Sequence, residues 1–495
     1  MKRKPQAQFP HLLLEAGYIK ESVYHTIRNA ILDGRLTSGI KLPSSRAFAE
    51  MMSISRNSVI AGFERLTDEG YLVTKQGSGT YVATTIPDEL IRFTTNPKNN
   101  NKSQYSALKL SPVLNHLTTL WENSRPNTNK RQFFNIGIGC VDQFPHDLWG
   151  RLLGRVWRKS KHEITHYNHP DGYLPLRKIL VDYVRSTRGV NCREEQVIIV
   201  NGTQQAINLA AKVLLQRGDC VWLDDPGYDS ARAILAASEA TISPIPSDSD
   251  GMDIDYAAEH CPDAKLIYTA PSHQFPLGTT LSLARRLTML EWAHQNNAWI
   301  FEDDYNSEFR YLSKPIQALQ GLDTHQRVIY AGTFSKMMYP GFRLGFLIVP
   351  EILIEPFTMV KYYSDSHSGY LEQAALAQFI QEGHYARHVR KIRKICYSRQ
   401  HTLINAINQY LAHIFEVTPT DSGIHAVCWL KPDINLQSIL SACHQLQFGV
   451  QPLSRYCINN QNNNAILFGY AAHTESEITK NIIALSQLLE STIKI

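Results

Sequence analysis

The sequence predicts an α/β protein with a mostly parallel sheet, preceded by a small helical head. Three observations lead there. From about Phe133 onward, short β-branched runs alternate with amphipathic helical patterns. The first 84 residues instead carry three short helical patterns and a glycine-turned hairpin. Between the two, the chain turns polar and turn-rich, as in Asn96-Pro-Lys-Asn-Asn-Asn-Lys-Ser103. The expected plan is a head over 1–84, a flexible linker or arm over 85–130, and a body over 131–495.

Composition agrees with that plan. At 495 residues the chain is too long for one core. Its 43% hydrophobic and 19% charged content is that of a globular protein. No apolar run approaches the roughly 20 residues that cross a bilayer. The basic start, Met-Lys-Arg-Lys-Pro, is followed by no signal core. Eight scattered cysteines without a Cys-x-x-Cys pair argue against zinc and a disulfide framework, and for a reducing cytoplasm. The net charge of +5 is uneven: residues 1–84 carry 11 Lys/Arg against 7 Asp/Glu, and residues 131–495 carry 33 against 35. A polyanion partner is expected for the head alone.

In the head, residues 20–34 read as a helix with Val23, Ile27, Ala30 and Ile31 on one face. Leu42-Pro-Ser-Ser-Arg46 starts a second, serine-capped helix with Ala47, Phe48 and Met51 facing inward. A third runs from Ser55 to Glu69, with Val59, Phe63 and Leu66 at core spacing and Gly70 as its stop. Strands Tyr71–Lys75 and Thr80–Ala83 flank Gln76-Gly-Ser-Gly79. Three helices and such a hairpin make a winged helix-turn-helix. Ser55, Arg56, Asn57 and Ser58 open its third helix, the end that meets base edges in the major groove. Arg46 opens the second helix, and Lys75 with Gly77 stands where the wing reaches phosphate. The stretches Ile31-Leu-Asp-Gly34, Leu42–Arg46, Ser55-Arg-Asn-Ser-Val59 and Glu69-Gly-Tyr-Leu72 resemble the GntR family of bacterial repressors and activators. That resemblance implies DNA contacts at Arg46, Ser55, Arg56, Asn57, Ser58 and Gly77.

In the body, candidate strands are Val197–Val200, Cys220–Leu223, Leu266–Ala270, Ala298–Glu302, Val328–Ala331 and Leu344–Val349. Candidate helices include Gln204–Gln216, Ser230–Ser238, Leu283–Asn296 and Leu371–Gln381. Ligands of such sheets gather at the carboxyl ends of the strands. Gly202-Thr-Gln204 opens a helix there and offers three backbone N–H groups to an anion. Tyr228 follows the second strand and offers an aromatic face. His273-Gln274 lies in a polar turn after the third. Glu302-Asp-Asp304 closes the fourth, where three carboxylates are costly unless they serve something. After the fifth strand comes Thr333-Phe-Ser-Lys336, with Arg343 seven positions on. A poorly solvated lysine favours its neutral amine and can attack a carbonyl. Thr333 and Arg343 suit a phosphate.

Each piece alone has a bland explanation, but together they describe a pyridoxal 5′-phosphate site. That cofactor needs a lysine for its aldehyde, an acid at its ring nitrogen, a phosphate cradle, a stacking face and a donor to its phenolate. The body resembles the class I aminotransferases of fold type I. The resemblance implies Lys336 as the Schiff-base lysine, Asp303 on the pyridine nitrogen and Tyr305 on the phenolate oxygen. It also implies Gly202, Thr203, Thr333, Ser335 and Arg343 on the phosphate, and Tyr228 against the ring. Tyr167, in His166-Tyr-Asn-His-Pro-Asp-Gly172, is implied to reach the phosphate of a neighbouring subunit. His273 and Gln274 stand where those enzymes carry an asparagine contact. A second departure lies in Asn464-Ala-Ile-Leu-Phe-Gly469, with no arginine where the enzymes bind the substrate carboxylate, which leaves Arg232 and Arg455 as substitutes.

A GntR-like head on an aminotransferase-like body resembles the MocR family of transcriptional regulators. This implies a cytoplasmic homodimer that binds an operator and senses a small amine, an amino acid or pyridoxal phosphate itself, through Lys336. The rival expectations are a working aminotransferase with an attached DNA-binding head, and a winged-helix protein with an inert body. No metal site is expected.

Overall fold

A computed structural model describes residues 19–84, 117–118, 121, 132–313, 316–459 and 464–492. The chain divides into two units, Met1–Leu108 and Lys109–Ile495. In the first, apolar spacing yields α1 (Ile19–Leu32), α2 (Ser45–Met52) and α3 (Arg56–Asp68), followed by the antiparallel hairpin of β1 (Leu72–Lys75) and β2 (Gly79–Val82). Val23, Ile27, Phe48, Val59 and Leu66 are fully buried and form its core. Ser44 caps α2 by accepting the Ala47 N–H, and Gly70 follows α3 at φ +80°. One expectation fails in α2. Its inward stripe is Phe48, Ala49 and Met52, while Ala47 and Met51 are exposed. At 3.6 residues per turn, Met51 lies roughly 100° round the helix from the centre of that stripe.

Of the expected linker over 85–130, only Leu117, Thr118 and Trp121 are among the described residues, and they are helical. The rest of that expectation lies outside the described residues.

The second unit is built on an eight-stranded sheet. Its order is β3 (Val197–Val200), β10 (Gly345–Ile348), β9 (Val328–Thr333), β8 (Trp299–Asp304), β7 (Leu266–Thr269), β4 (Cys220–Asp225), β5 (Thr241–Asp248) and β6 (Gly251–Met252). Strands β4, β5, β7, β8 and β9 run parallel, and β10 lies antiparallel between β3 and β9. Strands β7, β9 and β10 are buried along their whole length, as a sheet covered on both faces requires. All six expected strands are present. The sequence reading missed β5 because Pro244 and Pro246 interrupt it. Near a sheet edge prolines are tolerated, and only the end of β5 is met by β6.

A smaller antiparallel sheet follows, of order β11 (Phe415–Val417), β12 (His425–Leu430), β14 (Ala465–Gly469) and β13 (Gln451–Pro452). The helices His384–Tyr410 and Glu475–Thr492 share one core with it through Leu403, Ile407, Ile466, Phe468, Ile478 and Ile482. This sheet brings the start of β12 to the large sheet's ligand edge. Among the described residues no helix is long and apolar enough to cross a membrane.

Two of the scattered cysteines meet in the fold: Cys220, at the start of β4, lies against Cys261, 41 residues on. The helix Ile254–His260 folds back along β4, and Trp222 Nε1 donates to the Cys261 carbonyl at 2.9 Å. That return path is tertiary, so spacing in the chain does not announce it.

Candidate cofactor site and nucleic-acid interface

In the head, the side chains that open α3 divide into two kinds. Ser55 caps the helix: its hydroxyl accepts the Ser58 N–H at 3.2 Å and lies 2.8 Å from Ser58 Oγ. Ser58 is buried, so both serines spend their hydroxyls on the helix end. Arg56 and Asn57 are exposed. Arg46 is exposed beside Glu50, at 3.8 Å. Gly77 sits at φ +73° with open space where a side chain would stand. Lys75 lies 5.2 Å from the Tyr81 ring centre. The sequence reading missed Lys41, which bridges to Tyr81 and lies 5.7 Å from the same ring. Lys41 and Lys75 thus frame the wing as a pair of cations. A lone lysine between Ile40 and Leu42 gives no such signal.

In the body, a cavity opens at the carboxyl ends of the parallel strands. Thr203, Tyr228, Asp303, Tyr305, Thr333, Ser335, Lys336 and Arg343, all singled out from the sequence, line it together. Lys336 follows β9 because Pro340 and Gly341 turn the chain back into β10, with Arg343 at φ +47° between them. Its Nζ donates to the Gly137 carbonyl at 2.9 Å. Burial holds the ammonium below the usual lysine value, with Asp303 opposing and Arg343 adding to the depression. The lysine is therefore disposed to give up its proton.

The three carboxylates of β8 have three separate tasks. Glu302 accepts the N–H groups of Leu319 and Gln320 at 2.8 and 2.9 Å. Asp304 accepts from Arg188 Nε at 3.0 Å and the Tyr330 hydroxyl at 2.5 Å. Between them, Asp303 turns to the cavity, as alternation along a strand requires. Tyr268 donates to its Oδ2 at 2.6 Å, and its Oδ1 has no partner. Burial pushes its carboxyl up to about 7.

Two more cavity-lining groups share that feature: the Tyr305 hydroxyl and Ser335 Oγ are buried without a hydrogen-bond partner. Buried polar atoms ordinarily have partners. An acceptor at a ring nitrogen, a donor at a phenolate and a hydroxyl at a phosphate are the partners pyridoxal phosphate asks for, so the residues fit that group. Gly202 completes the cradle. It ends β3's loop at φ +92° and opens the helix Thr203–Leu214, and a Cβ there would stand 3.2 Å from the Arg343 guanidinium. That guanidinium donates to the Asn201 carbonyl at 3.0 Å. An anion at this helix end meets both N–H groups and a fixed cation.

Other expected residues fall elsewhere. His273 and Gln274 do not line the cavity. Gln274 Nε2 donates to the Pro226 carbonyl at 2.6 Å, and His273 Nδ1 lies 2.8 Å from Ser422 Oγ, with its ring held neutral by burial. Phe275, the next residue, lines the cavity instead. Tyr167 is 90% exposed and takes no part in its own chain's cavity. Arg455 Nη2 and Nε both reach Asp229 Oδ2, at 2.8 and 3.1 Å. Arg232 donates to the Cys457 carbonyl at 3.3 Å. Neither lines the cavity. Gln204, read with Gly202 and Thr203 as part of an anion-binding helix end, lines it too. The sequence reading missed Asp224, Tyr268 and His425 there. The first two adjoin motifs it used; His425 arrives from the small sheet, with no local signal.

Comparison with known proteins agrees at both ends of the chain. Residues 140–478 match the family described as Aminotransferase class I and II, and residues 19–82 match Bacterial regulatory proteins, gntR family. The chain is 34% identical over 464 residues to the probable rhizopine catabolism regulatory protein MocR of Rhizobium meliloti, covering 94% of this chain and 92% of that one. It is 28% identical over 480 residues to the HTH-type pyridoxine biosynthesis transcriptional regulator PdxR of Corynebacterium glutamicum, covering 96% of each. An archaeal alanine:glyoxylate aminotransferase structure superimposes with a TM-score of 0.69 at 24% identity, over 79% of this chain and 98% of that one.

Proposed function

Because this chain belongs to the MocR-like regulators, in which a GntR helix-turn-helix is fused to an aminotransferase class I and II domain of a pyridoxal-phosphate-dependent fold, we propose that it is a DNA-binding transcriptional regulator that senses a small amine through Lys336. When bound, the cofactor supplies an aldehyde that condenses with primary amines and a ring that withdraws electrons. The protein's share is to bind and orient it. Asp303 would hold the ring-nitrogen proton, Tyr305 would donate to the phenolate oxygen, and Tyr228 would cover the ring. Gly202, Thr203, Thr333, Ser335 and Arg343 would hold the phosphate.

The observation that carries this reading is the convergence of Lys336 with three unpartnered buried polar groups in one cavity. An amine entering it competes with Lys336, and that exchange shifts the body between two arrangements that present the heads differently to an operator. Regulation then requires the ligand to prefer one arrangement. Action as a cytoplasmic homodimer is part of the proposal. It is supported by the exposed Tyr167 and by Met359, Tyr362 and Tyr363, exposed on the helix Ile354–Asp365.

Borohydride reduction of the purified protein followed by peptide mass spectrometry tests the cofactor assignment. A pyridoxyl adduct on Lys336 is expected, and a protein that carries none rules the reading out. A working aminotransferase is the second reading, favoured by the complete cofactor set. Against it stands the site's lack of a lining arginine besides Arg343 among the described residues.

A further inference from the structure

The cavity has more lining than the cofactor needs, and that remainder bears on the ligand. Beyond the residues assigned above, Gly137, Phe275, Ile424 and His425 face it. His425 opens β12 and is buried. Its Nε2 lies 2.8 Å from the Pro276 carbonyl. A carbonyl only accepts, so Nε2 carries the proton and Nδ1 presents a lone pair. Its one hydrogen bond is made through Nε2, and burial together with Lys336 keeps the ring neutral. His425 is therefore an acceptor.

The cations tell the same story. Among the described residues only Lys336 and Arg343 line the cavity as cationic side chains, and both have cofactor duties. Arg455 is tied to Asp229. The stretch Asn464–Gly469 contains no arginine, and the Asn464 side chain is exposed. Beyond the residues with cofactor duties, a ligand carboxylate in this cavity would meet His425 as a neutral acceptor, the neutral side chains of Gln204, Phe275 and Ile424, and the carboxyl of Asp224. Buried without a counter-ion, it would be strongly disfavoured.

We propose that the effector is a primary amine whose other polar groups are hydrogen-bond donors, hydroxyls above all, and that His425 is the residue that selects it against amino acids. A hydroxyl would donate to His425 Nδ1, and the ligand's chain would pack on Phe275 and Ile424. This rests on the cofactor-sensing reading above and narrows it to a ligand class.

A matched pair of probes tests it: 4-amino-1-butanol and 4-aminobutyrate, which differ by a hydroxymethyl against a carboxylate. Each is titrated calorimetrically into the full-length protein loaded with pyridoxal phosphate. The alcohol is expected to bind roughly tenfold tighter or more, the scale of one satisfied buried hydrogen bond. His425→Leu should erase that preference by weakening the alcohol, and His425→Gln, whose amide oxygen accepts, should keep most of it. If His425→Leu fails to retain cofactor, the wild-type pair and His425→Gln decide alone. Equal or tighter binding of the carboxylate overturns the inference, as does a loaded protein that binds neither probe. Failure of the parent reading is separate, since it appears as absence of the Lys336 adduct before any probe is added.

Discussion

Asp303 concentrates the electrostatics of the site. Its unpartnered Oδ1 and raised carboxyl, at about 7, describe an acid waiting for a cationic partner. An Asp303→Asn variant keeps the shape and loses the charge-assisted bond, worth about 2 kcal/mol. Cofactor affinity is expected to fall roughly 30-fold on that account, read by equilibrium dialysis of pyridoxal phosphate. The pH dependence of the cofactor-free protein follows with a definite sign. Asp303 titrates near 7 when folded and near 4 when unfolded. The folded state therefore binds more protons over that window, and stability falls as pH rises through it. Asp224 and Glu302, also pushed up to about 7 by burial, act in the same direction. Urea denaturation of the cofactor-free protein should show a decline from about pH 4 to 7, shallower in Asp303→Asn. A stability that rises over that window contradicts the burial of these acids.

At the scale of elements, two helix ends do the positioning. The N-terminus of Thr203–Leu214 is held from behind. Lys361, fully buried, donates to Asp365 Oδ1 at 2.8 Å, and Asp365 Oδ2 accepts from Asn201 and Gln205 at 3.0 and 2.6 Å. Asn201 in turn holds Arg343. Lys361→Ala removes the cation from Asp365 and leaves it the Asn201 and Gln205 amides; the body should lose roughly 2 kcal/mol, the scale of one hydrogen bond to a charged group, with cofactor lost at lower urea than in the parent protein. The N-terminus of α3 is the other end. Arg56→Ala should relax operator selectivity, whereas Ser58→Ala, at a buried cap, should lower the head's melting temperature and leave selectivity intact. Lys41→Ala and Lys75→Ala should each reduce the log–log salt slope of DNA binding by about 0.9, measured by fluorescence anisotropy. These elements were legible because their signals are local: periodic apolar residues, a serine cap, a glycine stop, a lysine after a β-branched run. His425 and the Asn201–Asp365 anchor were not, since each joins segments far apart in sequence. The pattern also misjudged the face of α2, where eight residues offer too few turns to define a stripe.

For the whole molecule, the GntR head and the aminotransferase-like body are each recognisable over their own length, and the proposed function requires that they be coupled. The family regulates transcription, and the sequence reading reached that level from the helix-turn-helix motifs of the head together with the motifs at the strand ends of the body. What lay beyond it was the ligand, because selectivity depends on side chains that only tertiary folding brings to the cavity. A protein that senses rather than catalyses should transfer amino groups to 2-oxoglutarate slowly; rapid multiple turnovers would favour the enzyme instead. The most direct test of the coupling is anisotropy of a DNA fragment selected in vitro by the full-length protein, measured while 4-amino-1-butanol is titrated into wild type and Lys336→Ala, both supplied with pyridoxal phosphate. The amine is expected to shift DNA affinity in the wild type and leave Lys336→Ala unmoved. An identical response from the two proteins would contradict sensing through Lys336.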